Sequence, residues 1–348
     1  MAKDTMMALY MDGPRNVYLV DRDIPEPQPG EVRIKIMATG VCGGDLRNYL
    51  APADPNKKHI PILGGHEFAG IIDKLGEGVT NCKVGDRVCL YPTNYCGDCP
   101  ECKRGLYNLC HNRKKSLIGD GKRDGGFAEY ICYRAQNVVP IADNVTFEQG
   151  AMIEPLAVSM HCVNRAGDLT GKTVAIMGVG SIGFFTLECL KARGVKNIIA
   201  LDVADNKLEM AMQHGCTAKF NTMEPDVAQK IIDEAGPIDV VFECVMYQKT
   251  FDLSLQIVRD GGTIVGAGLG ATEITVPWRN MIGHEVNIVP CITYTDEIQQ
   301  CAQLLAEEKF DIDYLATIFP LAEGPKAFAD MDGASPYIKI IFIPPHEE

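Results

Sequence analysis

The sequence has no excess of basic residues and no long apolar run. Its 33 lysines and arginines stand against 46 aspartates and glutamates, which gives a formal net charge of −13. This acidic balance argues against nucleic acid or an anionic membrane as the main partner. The longest uncharged stretch, residues 173–187, contains three glycines and is shorter than the ~20 residues that a membrane helix needs. We therefore expect a small-molecule partner, and neither nucleic acid nor membrane.

The pattern of a secretory leader is also missing, because the opening MAKDTMMALYMDGPR has no apolar run after its lysine. Fourteen cysteines without an export signal indicate thiols in a reducing compartment, so we expect a cytoplasmic location. In such a compartment clustered cysteines bind metal more often than they form disulfides. With 348 residues, of which 46% are apolar and 23% charged, the chain is long enough for about two globular domains.

Four of the cysteines are clustered in the segment YCGDCPECKRGLYNLC, residues 95–110. Their spacing is C-x2-C-x2-C-x7-C, at Cys96, Cys99, Cys102 and Cys110. An iron–sulfur run of the bacterial ferredoxin type ends in a shorter gap followed by proline, whereas His111 follows here. A structural zinc site takes four thiolates in a closed tetrahedron, and short gaps let the chain wrap the ion. We predict zinc, because a polar lobe with four unliganded thiols would have little apolar material to hold it.

The two halves of the chain differ in their hydrophobic pattern. Up to about residue 150 the pattern is one of short strands and glycine-rich turns, and residues 32–38 alternate apolar and polar side chains as in a half-buried strand. The second half alternates strands with helices, which predicts an α/β fold with a parallel sheet covered on both faces. Its apolar strand-length runs are residues 173–178, 197–202, 238–243 and 263–267. A helix over 298–305 and a strand over 337–343 complete the predicted chain.

The first strand–helix junction of the second half carries the motif G-x-G-x-x-G. Its residues are Gly178, Val179, Gly180, Ser181, Ile182 and Gly183, followed by a helical pattern with Ile182, Phe185, Cys189 and Leu190 on one face. Directly after a strand, these glycines let backbone N–H groups approach a pyrophosphate. Asp202 ends the next strand, where an acidic residue binds the ribose hydroxyls, and no arginine follows it. This predicts NAD(H) rather than NADP(H), and a helix cap or a solvated strand end is the alternative role for Asp202.

A second set of candidate metal ligands is scattered through the first half. Cys42 lies in a glycine turn, His66 and Glu67 follow about twenty residues later, and Glu154 lies near the junction with the second half. Thiolate, imidazole and carboxylate form a donor set that suits zinc. Taken singly, each also has an ordinary explanation as a buried cysteine, a core histidine or a surface acid. Together they predict a metal site with an open position for water or substrate.

These residues and motifs resemble those of the zinc-containing medium-chain alcohol and polyol dehydrogenases along essentially the whole chain. The segment GHEFAGIIDKLGEGV, residues 65–79, matches the family pattern G-H-E-x2-G-x5-G-x2-V. The other family motifs follow in the family's order: VGDRV at 84–88, the four-cysteine lobe, DGGFAEY at 124–130, EPL at 154–156 and the G-x-G-x-x-G. The Glu67 and EPL features are most similar to the sorbitol, galactitol-phosphate and threonine dehydrogenase branch.

The resemblance implies a mostly-β GroES-like catalytic domain of residues 1–155 and 291–348, with the zinc lobe at 95–111, and a Rossmann domain of residues 156–290. It implies two zinc ions per chain. The catalytic ion would be held by Cys42, His66 and one or both of Glu67 and Glu154, and the structural ion by Cys96, Cys99, Cys102 and Cys110. Relatives are dimers or tetramers, so we expect a homodimer or homotetramer.

The expected reaction is the NAD-dependent, reversible oxidation of a secondary alcohol of a polyol or sugar alcohol to a ketone. A polyol-phosphate dehydrogenase and an L-threonine 3-dehydrogenase are the alternatives within the branch. Two other classes are less consistent with the motifs. A relative without catalytic zinc that reduces enones or quinones would not be expected to keep all four ligands, and a non-enzymatic zinc-lobe module would lack the dinucleotide motif.

The sequence departs from the family at two places. Gly44 stands where relatives have the serine or threonine that relays the alcohol proton, and Cys244-Val245-Met246 replaces a more usual small hydroxyl residue and glycine. Substrate contacts are less defined. Arg47, Asn48 and Tyr49 are candidates to face substrate or pyrophosphate. The basic residues 111–115 and 122–123 form either an anion clamp or a solvated loop.

Overall fold

A computed structural model describes residues 4–52, 60–112, 118–119, 123–332 and 335–346. The chain divides into two compact units: residues 1–155 with 298–348, and residues 156–297. The second boundary lies a few residues beyond the expected 290/291. The assignment of the units as catalytic and dinucleotide-binding domains stays a prediction at this point. Among the described residues, no helix combines the length and apolar character needed to cross a membrane.

The strands, in chain order, are β1 (Thr5–Met11), β2 (Val17–Asp23), β3 (Glu31–Gly40), β4 (Ile62–Leu63), β5 (Glu67–Leu75), β6 (Arg87–Leu90), β7 (Tyr130–Arg134), β8 (Val138–Pro140), β9 (Thr173–Met177), β10 (Asn197–Asp202), β11 (Ala218–Asn221), β12 (Ile238–Glu243), β13 (Val258–Gly266), β14 (Asn287–Pro290), β15 (Ala316–Pro320) and β16 (Lys339–Ile343).

The α-helices are α1 (Gly43–Leu50), α2 (Pro100–Lys103), α3 (Phe147–Ala151), α4 (Ile153–Arg165), α5 (Ser181–Ala192), α6 (Asp205–Gln213), α7 (Val227–Ala235), α8 (Gln248–Ile257), α9 (Trp278–His284), α10 (Glu297–Ala306) and α11 (Gly324–Asp330).

The first unit is built on two sheets. One has the strand order β2-β1-β4. The other has the order β15-β16-β3-β5-β6-β8, with β7 also paired to β3. Strand β3 is antiparallel to β5, β7 and β16, and its inward residues Val32, Ile34, Ile36 and Ala38 are fully buried. This confirms the predicted alternation, because successive side chains of a strand point to opposite faces. Two C-terminal strands join this sheet, so residues from both ends of the chain share one scaffold.

The second unit is a six-stranded parallel sheet of order β11-β10-β9-β12-β13-β14. The predicted strand 197–202 is confirmed as β10, and 238–243 as β12. β13 begins five residues earlier than predicted, and the short strands β11 and β14 were not predicted. Helix α5 is confirmed, but residues 183–190 are all buried rather than one face of them. A helix that is apolar on every side is buried all round. Its hydrophobic periodicity therefore does not show which face packs against the sheet.

Candidate active site and metal centres

Cys42 is the N-cap residue of helix α1. Its Sγ accepts a hydrogen bond from Gly44 N at 3.3 Å, and the Asp45 carboxylate accepts one from Cys42 N at 3.0 Å. This reciprocal capping box holds the sulfur at the positive end of the helix dipole. A thiolate is the form of cysteine that binds metal.

His66 and Glu67 lie at the start of strand β5. Gly65 precedes them with φ of +89°, and a Cβ added there would lie 2.6 Å from the Phe127 ring. Only glycine meets both conditions, so the turn that presents His66 depends on this residue. The ligand atoms of Cys42, His66 and Glu67 all lie within 4.8 Å of one another. The fold thus brings together three of the four predicted catalytic-zinc residues, which are scattered over 26 positions of the sequence.

Glu67 is held by a lysine that the sequence analysis missed. In the sheet, Glu67 of β5 is paired with Gly40 of β3, and Gly40 is in turn paired with Ile341 of β16. Lys339, at the start of β16, donates hydrogen bonds to Glu67 Oε2 and, at 2.8 Å, to the Val41 carbonyl. Glu67 and Lys339 are 1% and 3% exposed. A buried carboxylate with a buried cationic partner is held in one orientation, and its partner offsets part of the cost of burial.

Gly40 makes room for this buried ion pair. A Cβ at position 40 would lie 2.6 Å from Glu67 Oε2 and 3.1 Å from Lys339 Cε. The 272 residues between Glu67 and Lys339 hide the pair from local sequence patterns. The available signal was a lysine in an otherwise apolar terminal strand, Lys339 in YIKIIFI, since an inward charge in such a strand requires a partner.

The electrostatics of the centre favour a bound cation. Burial by itself lowers the pKa of His66, but the charge and hydrogen bond of Cys42 and the charges of Asp45 and Glu154 outweigh it and raise the pKa well above its usual value. Burial also raises the pKa of Asp45, against the charge of His66. The negative groups around His66 also favour a divalent metal ion, which would displace the ligand protons on binding, and sulfur, nitrogen and oxygen donors suit zinc. The donor set therefore fits the expected ion.

Glu154, in the first turn of helix α4, is not part of the three-residue group. Its carboxylate is nevertheless close enough for its charge to raise the pKa of His66. Its role as a zinc ligand stays a prediction, because only Cys42, His66 and Glu67 have ligand atoms within mutual reach.

The four predicted lobe cysteines lie together in the described structure. The ligand atoms of Cys96, Cys99, Cys102 and Cys110 are within 4.8 Å of one another, and the Sγ atoms of Cys96 and Cys102 are 3.9 Å apart. All of them are free thiols rather than disulfides. Gly97 and Gly105 have φ of +77° and +79°, which are turn conformations that glycine adopts without strain. This geometry fits a closed tetrahedral metal site.

Backbone N–H groups prepare the lobe for thiolates. Cys96 N donates to Cys110 Sγ at 3.3 Å, and Cys99 N donates to Cys96 Sγ at 3.4 Å. The backbone bonds from Cys99 and Asp98 lower the pKa of Cys96 to about 6, whereas burial raises the pKa of Cys102 to about 12. Hydrogen bonds to a charged form favour it, so the thiolate of Cys96 is favoured, and metal binding would release the remaining thiol protons to solvent.

A third group overlaps the lobe. Cys99, Glu101 and His111 also have ligand atoms within 4.8 Å, and His111 Nε2 lies 2.6 Å from Glu101 Oε2. Because Cys99 is shared, this group and the four-cysteine site exclude each other as separate centres. His111 belongs to the predicted basic run, of which residues 113–115 and 122 lie outside the described residues.

The three glycines of the G-x-G-x-x-G motif in the second unit have different structural roles. Gly178 has φ of +88°, and a Cβ there would lie 2.2 Å from Val245 Cγ2. A Cβ on Gly183 would lie 2.1 Å from the Gly178 carbonyl oxygen, so α5 packs closely on the turn. Gly180, the N-cap of α5, has open space where a Cβ would stand. A ligand phosphate can approach the backbone there, as in dinucleotide sites.

Asp202 lies at the carboxyl end of β10, next to this motif. Its Oδ2 accepts a hydrogen bond from Val179 N at 2.8 Å, and its Oδ1 accepts one from Ala204 N at 2.9 Å. Ligands of parallel sheets bind beyond the carboxyl ends of the strands, which is where the Asp202 side chain lies. These hydrogen bonds orient the carboxylate of Asp202. Each carboxylate oxygen can accept a further hydrogen bond, so ribose hydroxyls can still bind.

Together these features define a class, the zinc- and dinucleotide-dependent dehydrogenases: one unit gathers thiol, imidazole and carboxylate, and the other carries a G-x-G-x-x-G turn on a parallel sheet. The chain matches the alcohol dehydrogenase GroES-like domain over residues 28–143 and the zinc-binding dehydrogenase domain over residues 181–307. It therefore belongs to the zinc-containing medium-chain alcohol and polyol dehydrogenase family, which confirms the resemblance and the fold class.

Two curated relatives span nearly the whole chain. The L-idonate 5-dehydrogenase of Vitis vinifera is 32% identical, and the sorbitol dehydrogenase of Arabidopsis thaliana is 33% identical. In each case the match covers 97% of this chain and 94% of the relative.

Two solved structures are similarly close in fold. Galactitol-1-phosphate dehydrogenase from Escherichia coli has a TM-score of 0.89 at 29% identity, over 97% of this chain and all of that one. A zinc-binding dehydrogenase from Sinorhizobium meliloti 1021, bound to NADP, has a TM-score of 0.89 at 30% identity, over 98% of this chain and all of that one.

Proposed function

We propose that this protein catalyses the reversible, NAD-dependent oxidation of a secondary alcohol of a polyol or sugar alcohol to a ketone. The proposal depends on one observation: the ligand atoms of Cys42, His66 and Glu67 lie within 4.8 Å of one another. The chain that holds them belongs to this dehydrogenase family. The sorbitol and L-idonate dehydrogenases among its relatives support the substrate class. We assign the catalytic zinc to these three residues, with Glu154 as a further candidate, and the structural zinc to Cys96, Cys99, Cys102 and Cys110.

Zinc bound in the first site would supply Lewis acidity, which lowers the pKa of an alcohol hydroxyl. The task of the chain is to hold the donors in place. The capping box of α1 positions the sulfur of Cys42, and the Gly65 turn presents His66. Lys339 donates a hydrogen bond to Oε2 of Glu67 and so restrains the carboxylate. This restraint also limits how far Glu67 can swing away.

The coenzyme is assigned to the second unit. The open N-terminus of α5 at Gly180 takes the pyrophosphate, and Asp202 takes the ribose hydroxyls. Residues 203–205 supply no cation for a 2′-phosphate, and Asp205 adds a second carboxylate. We propose NAD(H) on this basis, although a similar fold from Sinorhizobium meliloti holds NADP.

The proton of the alcohol leaves without the hydroxyl side chain found in relatives, because position 44 is glycine. Water, a hydroxyl of the substrate or Glu154 remains as the carrier. The sequence also offers the imidazole of His59 as an acid–base group for this proton, and His59 lies outside the described residues. Glu154 is near enough to His66 to influence its pKa, which is consistent with a place at the edge of the site.

The proposal is tested by following reduced nicotinamide absorbance with the zinc-loaded protein. Sorbitol, xylitol, galactitol, their phosphates, threonine and simple alcohols are each offered with NAD and with NADP. We expect turnover of polyols with NAD, and its loss when metal is removed. Activity confined to threonine would overturn the substrate assignment, and activity confined to NADP would overturn the coenzyme assignment. Zinc-independent reduction of enones would point to the other class of relative.

We further propose a homo-oligomer, a dimer or tetramer, in the cytoplasm. The fourteen cysteines are all free thiols, which is consistent with a reducing compartment. Helix α9, which precedes the edge strand β14 in the chain, exposes Trp278 and Ile282 by 69% and 59%. Large apolar side chains grouped on a surface usually mark an interface. Light scattering on Trp278→Ser and the parent protein tests this, with dissociation as the expected result.

A further inference from the structure

Two cysteines of the second unit, Cys162 and Cys291, are hydrogen-bonded to each other through their side chains. Cys162 lies on helix α4, and Cys291 directly follows strand β14. Both are free thiols, and among the residues that the structure describes neither belongs to a group with the spacing of metal ligands. Two thiols in contact can be oxidised to a disulfide.

Hydrogen bonds on both sides of Cys162 hold α4 against the segment that follows Cys291. His161 Nδ1 lies 2.9 Å from Glu297 Oε1, and Asn164 Nδ2 donates to the same oxygen at 3.1 Å. Glu297 is the first residue of helix α10, six residues after Cys291. The approach of the two thiols therefore follows from the packing of the unit and not from one side-chain rotamer.

The two thiols differ in exposure and therefore in ionisation. Cys162 is 1% exposed, whereas Cys291 is half-buried. The hydrogen bond from Cys162 lowers the pKa of Cys291 to about 7, and burial opposes this effect. The charges of His161 and Arg165 lower the pKa further, whereas that of Glu297 raises it. The same hydrogen bond and burial raise the pKa of Cys162 well above its usual value.

Two further thiols lie near Cys162. Cys189 of α5 and Cys244, which follows β12, raise the pKa of Cys162 further through their charges. The carbonyl of Val289 accepts the S–H of Cys291 at 3.7 Å, a long contact. An accessible thiolate is the reactive form of cysteine, so Cys291 is the nucleophile of the pair and Cys162 holds the proton.

We propose that Cys291 and Cys162 form a peroxide-reactive thiol pair, in which Cys291 is oxidised first and Cys162 closes a disulfide. The thiolate of Cys291 attacks an oxygen of a hydroperoxide: an S–O bond forms, the O–O bond breaks, and an alcohol or water leaves after taking a proton from solvent. Cys162 then attacks the sulfenic acid: an S–S bond forms, the S–O bond breaks, and hydroxide leaves as water with the Cys162 proton. The two sulfurs lose two electrons, which the peroxide gains.

The disulfide would link α4 covalently to the end of β14. Cys291 lies at the carboxyl edge of the parallel sheet, the edge at which such sheets bind ligands. Disulfides of reducing compartments are usually transient and redox-sensing, so a dithiol reductant should reverse this one. The inference does not depend on the proposed dehydrogenase activity, because it concerns the thiols alone.

Differential alkylation with mass spectrometry tests the pair in the zinc-loaded protein. Hydrogen peroxide is added, the remaining thiols are alkylated after set times, and the peptides of Cys162, Cys291 and Cys132 are quantified. Cys132 is the internal control, because it is also half-buried but burial raises its pKa to about 12. From thiolate fraction and nucleophilicity, we expect Cys291 to react about a hundredfold faster than Cys132 at pH 7. A Cys162–Cys291 disulfide should accumulate and disappear with dithiothreitol.

Single variants separate the two steps. Cys162→Ser should stop at the sulfenic acid of Cys291, which dimedone traps, and Cys291→Ser should leave Cys162 reduced. Cys132→Ser should leave disulfide formation unchanged. In the parent protein, the oxidation rate of Cys291 should rise with pH through about 7 and then level off, because only the thiolate reacts. The rate at Cys132 should still be rising well above that pH.

Three results would overturn the inference: equal oxidation rates at Cys291 and Cys132, sulfenic acid that forms first at Cys162, or oxidation confined to the candidate metal ligands. The last would appear as zinc release, followed with a zinc-sensitive dye in the same samples, without a Cys162–Cys291 disulfide. The parent protein alone decides all three, so the outcome does not depend on the folding of a variant.

Discussion

In both the four-cysteine lobe and the dispersed Cys42–His66–Glu67 centre, the ligand atoms lie within 4.8 Å of one another. The two groups are assembled by different parts of the fold. The lobe gathers its ligands within one short segment, where glycine turns and backbone N–H groups set the positions of the sulfurs. The dispersed centre takes its ligands from a helix cap and a strand end, and depends on a lysine 272 residues away. The geometry of a local site depends on the turns of one segment. The geometry of a dispersed site depends on the strand register of the sheet that brings its residues together.

The difference also separates structural from catalytic use. Four thiolates complete a tetrahedron and leave no position for a substrate, whereas three donors of mixed type leave one open. The dispersed centre also borders the exposed residue Arg47. The two sites should therefore respond differently to substitution, and the following experiments test that separation.

The largest effect is expected from His66→Ala. Loss of the imidazole should release the catalytic zinc and lower kcat/KM by about a thousandfold or more, since metal catalysis contributes several kcal/mol to the transition state. Zinc analysis should show one ion per chain instead of two, with the lobe still loaded. The matched control is His111→Ala, which should keep both ions. Loss of the lobe zinc in that control would mean that Cys99, Glu101 and His111 form the true second site.

Lys339→Met tests the dependence of the dispersed centre on the sheet. It leaves Glu67 buried without its cation, and breaking a buried pair in this way costs about 3–5 kcal/mol of stability. We expect a lower free energy of unfolding in denaturant titrations and weaker zinc binding at this centre. Lys339→Arg keeps the charge and should lose less. Gly40→Ala, which brings a methyl group into the pair, should resemble Lys339→Met. Unchanged stability in both variants would contradict the role given to the pair.

Cys110→Ser is the reciprocal experiment on the lobe. One zinc per chain should be lost, and limited proteolysis should cleave within residues 96–110, because the segment has few apolar contacts to replace the metal. The turnover number should stay within its original order of magnitude, since the catalytic ligands lie elsewhere. A drop as deep as that of His66→Ala would show that the lobe and the centre are not independent.

The smallest effect is expected from Gly44→Ser. A Cβ at this position would make ordinary contacts of 3.6 and 3.7 Å, so the side chain fits. Zinc content should be unchanged, and turnover should be equal or higher, because a hydroxyl is returned to the place where relatives carry one. Metal analysis and kcat measure both. A collapse of zinc binding would show that the turn around Cys42 is misplaced.

The local features of both sites could be predicted from the sequence. The spacing of the four cysteines predicted their grouping, the alternation over residues 32–38 predicted β3, and G-x-G-x-x-G predicted the turn between β9 and α5. These signals work because each depends on residues that are near one another in the chain. The short strands β11 and β14 gave no such signal and were not predicted, and the periodicity of α5 marked only one face although residues 183–190 are all buried.

Two features could not be predicted from local sequence patterns. They are the ion pair of Lys339 with Glu67 and the position of Arg47 beside Cys42. The first depends on β16, β3 and β5 lying side by side in one register, and the second on the direction of a single helix anchored by Tyr49. The sequence by itself determined the ligand types, the local turns and the two kinds of secondary-structure pattern. Only the tertiary structure decided which distant charges meet, because that depends on strand order and burial rather than on spacing along the chain.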